Sequence, residues 1–276
     1  MFLTACNVDN VKSTYTPVNA SEVTFAQSVV SYSEIDAKAS TYGIDITRNT
    51  ATAAATVTLK ATCPDGVTCP SSVTFNAGEY KATISLGVSD MEIGKTYKGT
   101  IEIDESAMNA NIAISKVTFS LAKAYTWVSM GKGWFCEGFW EGFFNEIEVF
   151  EADGFDRWRF MKPYSVSEES TTGGPAYVDL WVNDEGNVQW DTFNTGFDYS
   201  GAGDYVKAYW PSDLSANYKV KENYCTFWED DIIVLFPCFY IDGVGGWQSG
   251  YYPIAFCFPG RTQASFEAWL TEQGLW

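Results

Sequence analysis

The residues best placed to do chemistry begin with Cys6, which closes the run Leu3-Thr4-Ala5-Cys6. A leucine, two small residues and a cysteine form the spacing at which bacterial lipoprotein processing acylates a thiol and cuts the chain just before it. Cys6 is therefore read as a lipidation site, holding the chain to a membrane while the rest folds in an aqueous, extracytoplasmic space. Only Met1 to Ala5 precede it, whereas a secretory signal carries a basic stretch and about 7–15 apolar residues. The lipobox reading puts that signal before Met1; the alternative is an ordinary cysteine in a leader.

The chain has no histidine. Ser-His-Asp and Cys-His nucleophiles, a histidine general base and histidine zinc sites are all excluded. Carboxylates are what an enzyme would have left. Glu137 and Glu141 stand four apart, and Glu229-Asp230-Asp231 follow Trp228. A glycosidase needs two carboxyl groups facing each other at about 5–9.5 Å. With 35 acidic residues in the chain, a solvated face is the better reading of both clusters, and no catalytic residue is assigned. Asn183-Asp184-Glu185 has oxygen ligands but lacks the D-x-D-x-D-G spacing of a calcium loop. Gly131-Lys132-Gly133 lacks the rest of a phosphate loop. No metal or cofactor is expected.

Seven cysteines leave six once Cys6 is acylated. Cys63 and Cys69 bracket the turn sequence Pro64-Asp65-Gly66 and are read as a disulfide closing a small loop, worth about 2 kcal/mol by chain entropy. Cys136, Cys225, Cys238 and Cys257 allow three pairings, or none if they are buried thiols among aromatics.

Aromatic rings are the strongest candidate for binding. Trp and Tyr faces stack on the C–H faces of sugars while nearby carboxylates and amides take the hydroxyls. Gly131 to Phe135, Trp140 and the stretch Gly243 to Tyr252 mix glycine with aromatics, as exposed loops do. Trp134, Trp140, Trp247, Tyr251 and Tyr252 are the candidate ligand-binding residues. The competing reading is that such rings are core mass.

The elements that would position them divide at a composition break. All eleven tryptophans follow residue 126, and residues 1–124 hold only four Phe and five Tyr. Three parts are expected: a lipobox remnant and polar tether over 1–20, a β domain over 21–124, and an aromatic-rich recognition domain over 125–276. In the first domain Glu22–Phe25, Tyr42–Ile46, Ala55–Leu59, Val73–Phe75, Tyr80–Val88, Tyr97–Ile103 and Ile112–Leu121 read as strands, the short-strand pattern of an immunoglobulin-like sandwich. In the second, Asn145–Ala152, Arg157–Phe160, Tyr177–Val182, Val188–Trp190, Asp231–Phe236 and Tyr252–Phe258 read as strands of a sandwich or barrel-like domain. Residues 263–272 read as a helix, with Thr262 as its cap and Phe266, Trp269 and Leu270 on one face. The fold class is all-β with two domains and a short C-terminal helix. No apolar run reaches the ~20 residues of a membrane helix. A net charge of −18 disfavours nucleic acid and polyanionic glycans.

Val73-Thr74-Phe75-Asn76-Ala77-Gly78-Glu79, followed by an alternating strand and Gly94-Lys95-Thr96-Tyr97, resembles the Calx-β-like sandwich. Such domains open many Bacteroidota surface lipoproteins. Trp127 to Gly133, the strand ending Met161-Lys162-Pro163-Tyr164 and the hairpin around Gly186 resemble the partner domain of those proteins. The resemblance implies an outer-membrane lipoprotein, facing the cell surface or the periplasm, accessory to polysaccharide capture. Calcium binding is not carried over, because the acidic residues Glu34, Asp90 and Asp104-Glu105 are scattered. The expected ligand is a neutral polysaccharide or oligosaccharide, with the membrane reached through the lipid and no catalytic activity. Two alternatives stand beside it: a structural or protein-interaction component of an outer-membrane complex, and an apolar pocket for lipid.

Overall fold

The structure, a computed structural model, describes residues 22–104, 114–210, 214, 226–229, 231–247 and 252–276. Among the described residues it is all-β apart from one helix. The chain divides into two compact units, one ending at Tyr125 and the other running from Thr126 to Trp276.

In the first unit, β1 (Val23–Phe25), β3 (Thr41–Arg48) and β6 (Lys81–Gly87) form one sheet in the order β1-β3-β6. The second sheet has the order β2-β8-β7-β4-β5, from β2 (Val29–Ile35), β4 (Ala55–Thr62), β5 (Ser72–Phe75), β7 (Thr96–Ile103) and β8 (Lys116–Lys123). All the pairings are antiparallel except β2 with β8. Alternation turns Val23, Ile44, Ile46, Ile84 and Leu86 from one sheet toward Val57, Phe75, Ile101, Phe119 and Leu121 of the other, and these residues make a single core. The unit is a β-sandwich. Strand β2 escapes the alternation rule because its register shifts between Val30 and Ser33 and most of its side chains face out.

Cys63 and Cys69, expected as a disulfide, carry free thiols in this structure. Both pack against the edge of the core. Burial and the neighbouring Cys63 push the Cys69 thiol up to about 11. Cys136 and Cys257 are buried free thiols and Cys238 is buried as well, the packing role open to them from the outset, while Cys6 and Cys225 lie outside the described residues.

The second unit is built on an eight-stranded sheet in the order β13-β12-β11-β10-β9-β20-β17-β16. Its strands are β9 (Trp127–Glu137), β10 (Phe143–Ala152), β11 (Arg157–Met161), β12 (Tyr177–Val182), β13 (Val188–Trp190), β16 (Thr226–Glu229), β17 (Ile232–Leu235) and β20 (Ile254–Cys257). A four-stranded sheet, β14-β15-β18-β19, joins β14 (Phe193–Asp198), β15 (Tyr205–Tyr209), β18 (Cys238–Ile241) and β19 (Gly245–Trp247). Phe135, Val149, Phe160, Leu180 and Phe256 from the large sheet meet Phe197, Val206 and Phe239 from the small one in the main core. On the large sheet's other face, Phe266, Trp269 and Leu270 of helix α1 (Gln263–Glu272) pack on Cys136, Val234 and Ala255. Thr262 caps the helix through a reciprocal pair of bonds with Ser265.

One sequence expectation is corrected here. Gly131 to Phe135 is not an exposed loop but part of β9, a central strand. Its glycines reflect crowding and a bulge rather than a turn between elements. A Cβ at Gly133 would stand 2.1 Å from the Cys257 carbonyl oxygen, and Gly131, at φ +104°, sits at the register shift against β10.

Candidate functional site

The site starts with a carboxylate. Glu137 ends β9 and is 0% exposed. Its two oxygens accept the backbone N–H groups of Phe139 at 2.8 Å, Trp140 at 3.0 and 3.1 Å, Glu141 at 3.1 Å and Gly142 at 3.3 Å. The five-residue turn from β9 to β10 is thus wrapped around one buried side chain, and Gly142 closes it at φ +71°. Burial raises the Glu137 pKa, and the backbone hydrogen bonds pull against that rise. Tyr164, fully buried nearby, is held well above the usual phenol range by its own burial and then by the adjacent Glu137 and Cys136. Sequence reading placed Glu137 on a solvated face; the structure corrects this, because the side chain is fully buried and its hydrogen-bond donors are backbone amides.

The turn presents rings. Phe139 lies flat on Phe239 of β18, with centroids 4.1 Å apart and planes at 8°, and meets Tyr252 edge-on at 5.0 Å. Trp140 stacks on Phe197 at 5.8 Å and stands edge-on to Tyr199 at 6.2 Å. Phe139, Phe197 and Phe239 tie this cluster to the main core. Trp140 and Tyr199 form its open edge, at 36% and 54% exposure.

Polar groups fix the same edge. Asp198 accepts the N–H groups of Gly201 and Gly203, both at 2.9 Å, and the Ser200 hydroxyl donates to Asp204 at 2.7 Å, so the loop carrying Tyr199 is a closed turn. Glu141 accepts the Ser167 hydroxyl at 2.5 Å and the Glu168 N–H at 3.2 Å, which joins the 138–142 turn to the loop between β11 and β12. The two rings are therefore preorganised, with carboxylate oxygens flanking them. The arrangement suits a flat, hydroxyl-bearing ligand.

The expected site residues separate. Trp140 and Tyr252 both pack on Phe139, at ring-centroid distances of 5.5 and 5.0 Å. Trp134 stands apart in mid-strand β9, where its indole N–H donates to the Arg261 carbonyl at 3.0 Å and its ring packs with the α1 cluster. Trp247 belongs to β19, paired with Phe239; its side chain and all of Tyr251 lie outside the described residues. Tyr199 was missed, although Asp198-Tyr199-Ser200-Gly201-Ala202-Gly203-Asp204 has the turn composition that would flag a displayed ring. Asp231 is engaged by Arg261 at 2.5 and 2.9 Å, which lowers its pKa. Asn183 accepts the N–H groups of Glu185 and Asn187 and so shapes the β12–β13 hairpin. Among the described residues no group of three or more Cys, Asp or Glu side chains could hold a metal ion.

No protein-family model matches the chain. A search of curated proteins also finds no match. Among solved structures, a protein from Bacteroides ovatus proposed to bind carbohydrate is 11% identical, with a TM-score of 0.30 over 87% of this chain and 97% of that one. An auxiliary nutrient binding protein from Bacteroides thetaiotaomicron is 10% identical, with a TM-score of 0.34 over 84% and 89% of the two chains.

Proposed function

We propose that the second unit binds a neutral glycan by stacking sugar rings on Trp140 and Tyr199, and that lipid on Cys6 holds the protein at the outer membrane for polysaccharide capture. Tyr252 supports the turn from behind. Trp247 and Tyr251, in the stretch of sequence leading to Tyr252, are proposed further contacts. The observation that carries the reading is the pair of half-open rings, Trp140 on the turn braced by Glu137 and Tyr199 on the loop closed by Asp198, which meet edge-on. Rings of that kind give apolar faces to sugar C–H groups, and the oxygens of Glu141, Asp198 and Asp204 have lone pairs left for hydroxyls. The acidity of the chain turns the choice toward uncharged ligands. Trp134 is left out of the proposal because its N–H and ring are already engaged.

The test is calorimetry of the soluble chain against a panel of neutral polysaccharides. Saturable binding is expected for one of them, weakened at least about tenfold by Trp140→Ala or Tyr199→Ala and unchanged by Trp134→Phe. Binding that survives loss of both rings would reject the site. A second reading, a protein-docking role for the first unit, is favoured by a shallow depression of about 650 Å³ over β2, β7 and β8, where Val29 and Tyr32 are exposed. Silence across the whole panel would turn the search there.

A further inference from the structure

The 138–142 turn has a second side. Behind it lies an open groove of about 610 Å³, walled by Gly138, Gly142, Phe236, Pro253, Leu275 and Trp276. The turn is the rim of the large sheet, and the two features lie on opposite faces of that sheet. Phe139 and Tyr252 pack with the main core on the inner face, whereas Phe236 and Leu275 belong to the cluster under α1. The framework is nonetheless shared. Tyr252 braces the aromatic edge while Pro253, the next residue, lines the groove. Trp140 and Gly142 are two residues apart, so their Cα atoms are separated by at most about 7 Å.

The groove's chemistry matches that of the aromatic edge. Trp276 is 42% exposed, and its ring is held edge-on to Phe144 at 4.7 Å. A Cβ on Gly142 would come within 3.4 Å of the indole Cη2, so the absence of a side chain there keeps that end of the ring uncovered. None of the wall residues carries a charged side chain, and the glycines expose backbone amides and carbonyls beside an aromatic face. A neutral, hydroxyl-rich ring fits that combination better than an ion or a purely apolar chain.

We propose that the ligand is an extended oligosaccharide that crosses the 138–142 turn, with one stretch stacked on Trp140 and Tyr199 and a later stretch lying in the groove against Trp276. This rests on the glycan-binding reading of the aromatic edge and adds a second subsite to it. Recognition then extends over several consecutive sugars rather than a single terminal one.

The experiment titrates the soluble chain by calorimetry with oligosaccharides of graded length, from one sugar to eight, cut from cellulose, xylan, mannan, starch and galactan. For the series that binds, affinity should climb with length until both subsites are filled. Trp276→Ala should lower affinity for the longest member roughly tenfold while leaving that for the shortest binding member unchanged, and Trp276→Phe should return most of the loss. Affinity that is flat beyond the shortest binding member, or a Trp276→Ala variant that binds every length as the wild type does, would overturn the second subsite and leave the Trp140–Tyr199 edge intact. The wild-type length dependence needs no variant, so misfolding of Trp276→Ala cannot mask the answer. Absence of binding to every series would overturn the inference together with the reading beneath it.

Discussion

Glu137 shows how one side chain governs a display surface. Four amides converge on its carboxylate, and the ring of Trp140 is positioned only as well as that turn is. Removing the acceptors with Glu137→Ala leaves those amides without partners in a partly buried turn, at a cost of about 2 kcal/mol, and glycan affinity should fall although Glu137 touches no ligand. Glu137→Gln separates charge from shape. Because burial raises the pKa of Glu137 in the folded chain, the folded state holds its proton to higher pH than the unfolded state does. The contribution of this group to stability is thus full below the unfolded carboxyl value and declines as pH rises through the folded one. Urea unfolding from pH 4 to pH 8 should accordingly show the advantage of wild type over Glu137→Gln shrinking as pH rises. An advantage that grows with pH would mean that the four amides outweigh burial.

Between strands, exposure decides which ion pairs matter. On the outer face of the large sheet the Arg159 guanidinium lies between the rings of Trp127 at 4.1 Å and Tyr177 at 3.6 Å, and grips both oxygens of Asp179 at 2.7 and 2.9 Å. Arg157 reaches the same carboxylate at 3.2 Å while covering Trp181 at 4.5 Å. These groups stitch β9, β11 and β12 together with their charges mostly shielded from water. Asp179→Ala removes the carboxylate that both guanidinium groups bind and should cost about 2–3 kcal/mol in a urea-unfolding series, less than a fully buried pair because some solvent reaches it. Lys132→Ala, which breaks the exposed pair with Glu146, should leave the midpoint where it was. Equal losses for the two variants would contradict the argument. The same strands show what was legible beforehand. β10 to β13 follow the alternation of apolar and polar residues, and α1 follows its cap. β9 does not, because Gly131 and Gly133 are demanded by a bulge and by the Cys257 carbonyl, contacts made far along the chain. Trp140 was legible from the glycines flanking its turn, whereas its pairing with Tyr199 arises from two sheets closing on one core, which no local pattern encodes.

Across the whole molecule, each unit encloses its own core. One is the sandwich interior around Phe75 and Phe119, and the other is the aromatic interior around Phe135, Phe160 and Phe256. All eleven tryptophans stand in the second unit, together with both proposed subsites. Independent cores imply that folding information is partitioned at the same place as function, since among the described residues each core cluster is drawn from one unit. A fragment spanning 126–276 should therefore fold cooperatively and bind the polysaccharide identified for the full chain with a dissociation constant within about twofold, well under the tenfold that corresponds to 1.4 kcal/mol. A fragment spanning 22–125 should give a cooperative melt and no heat of binding. If the 126–276 fragment folds but binds tenfold more weakly, the first unit contributes ligand contacts and is more than a spacer. If it binds as tightly as the intact chain, the role left to the first unit is that of a spacer between the aromatic edge and the lipid proposed on Cys6. The Cys6→Ser variant, expected to move from the membrane fraction to the soluble one with unchanged glycan affinity, would then complete the separation of tether, spacer and binding unit.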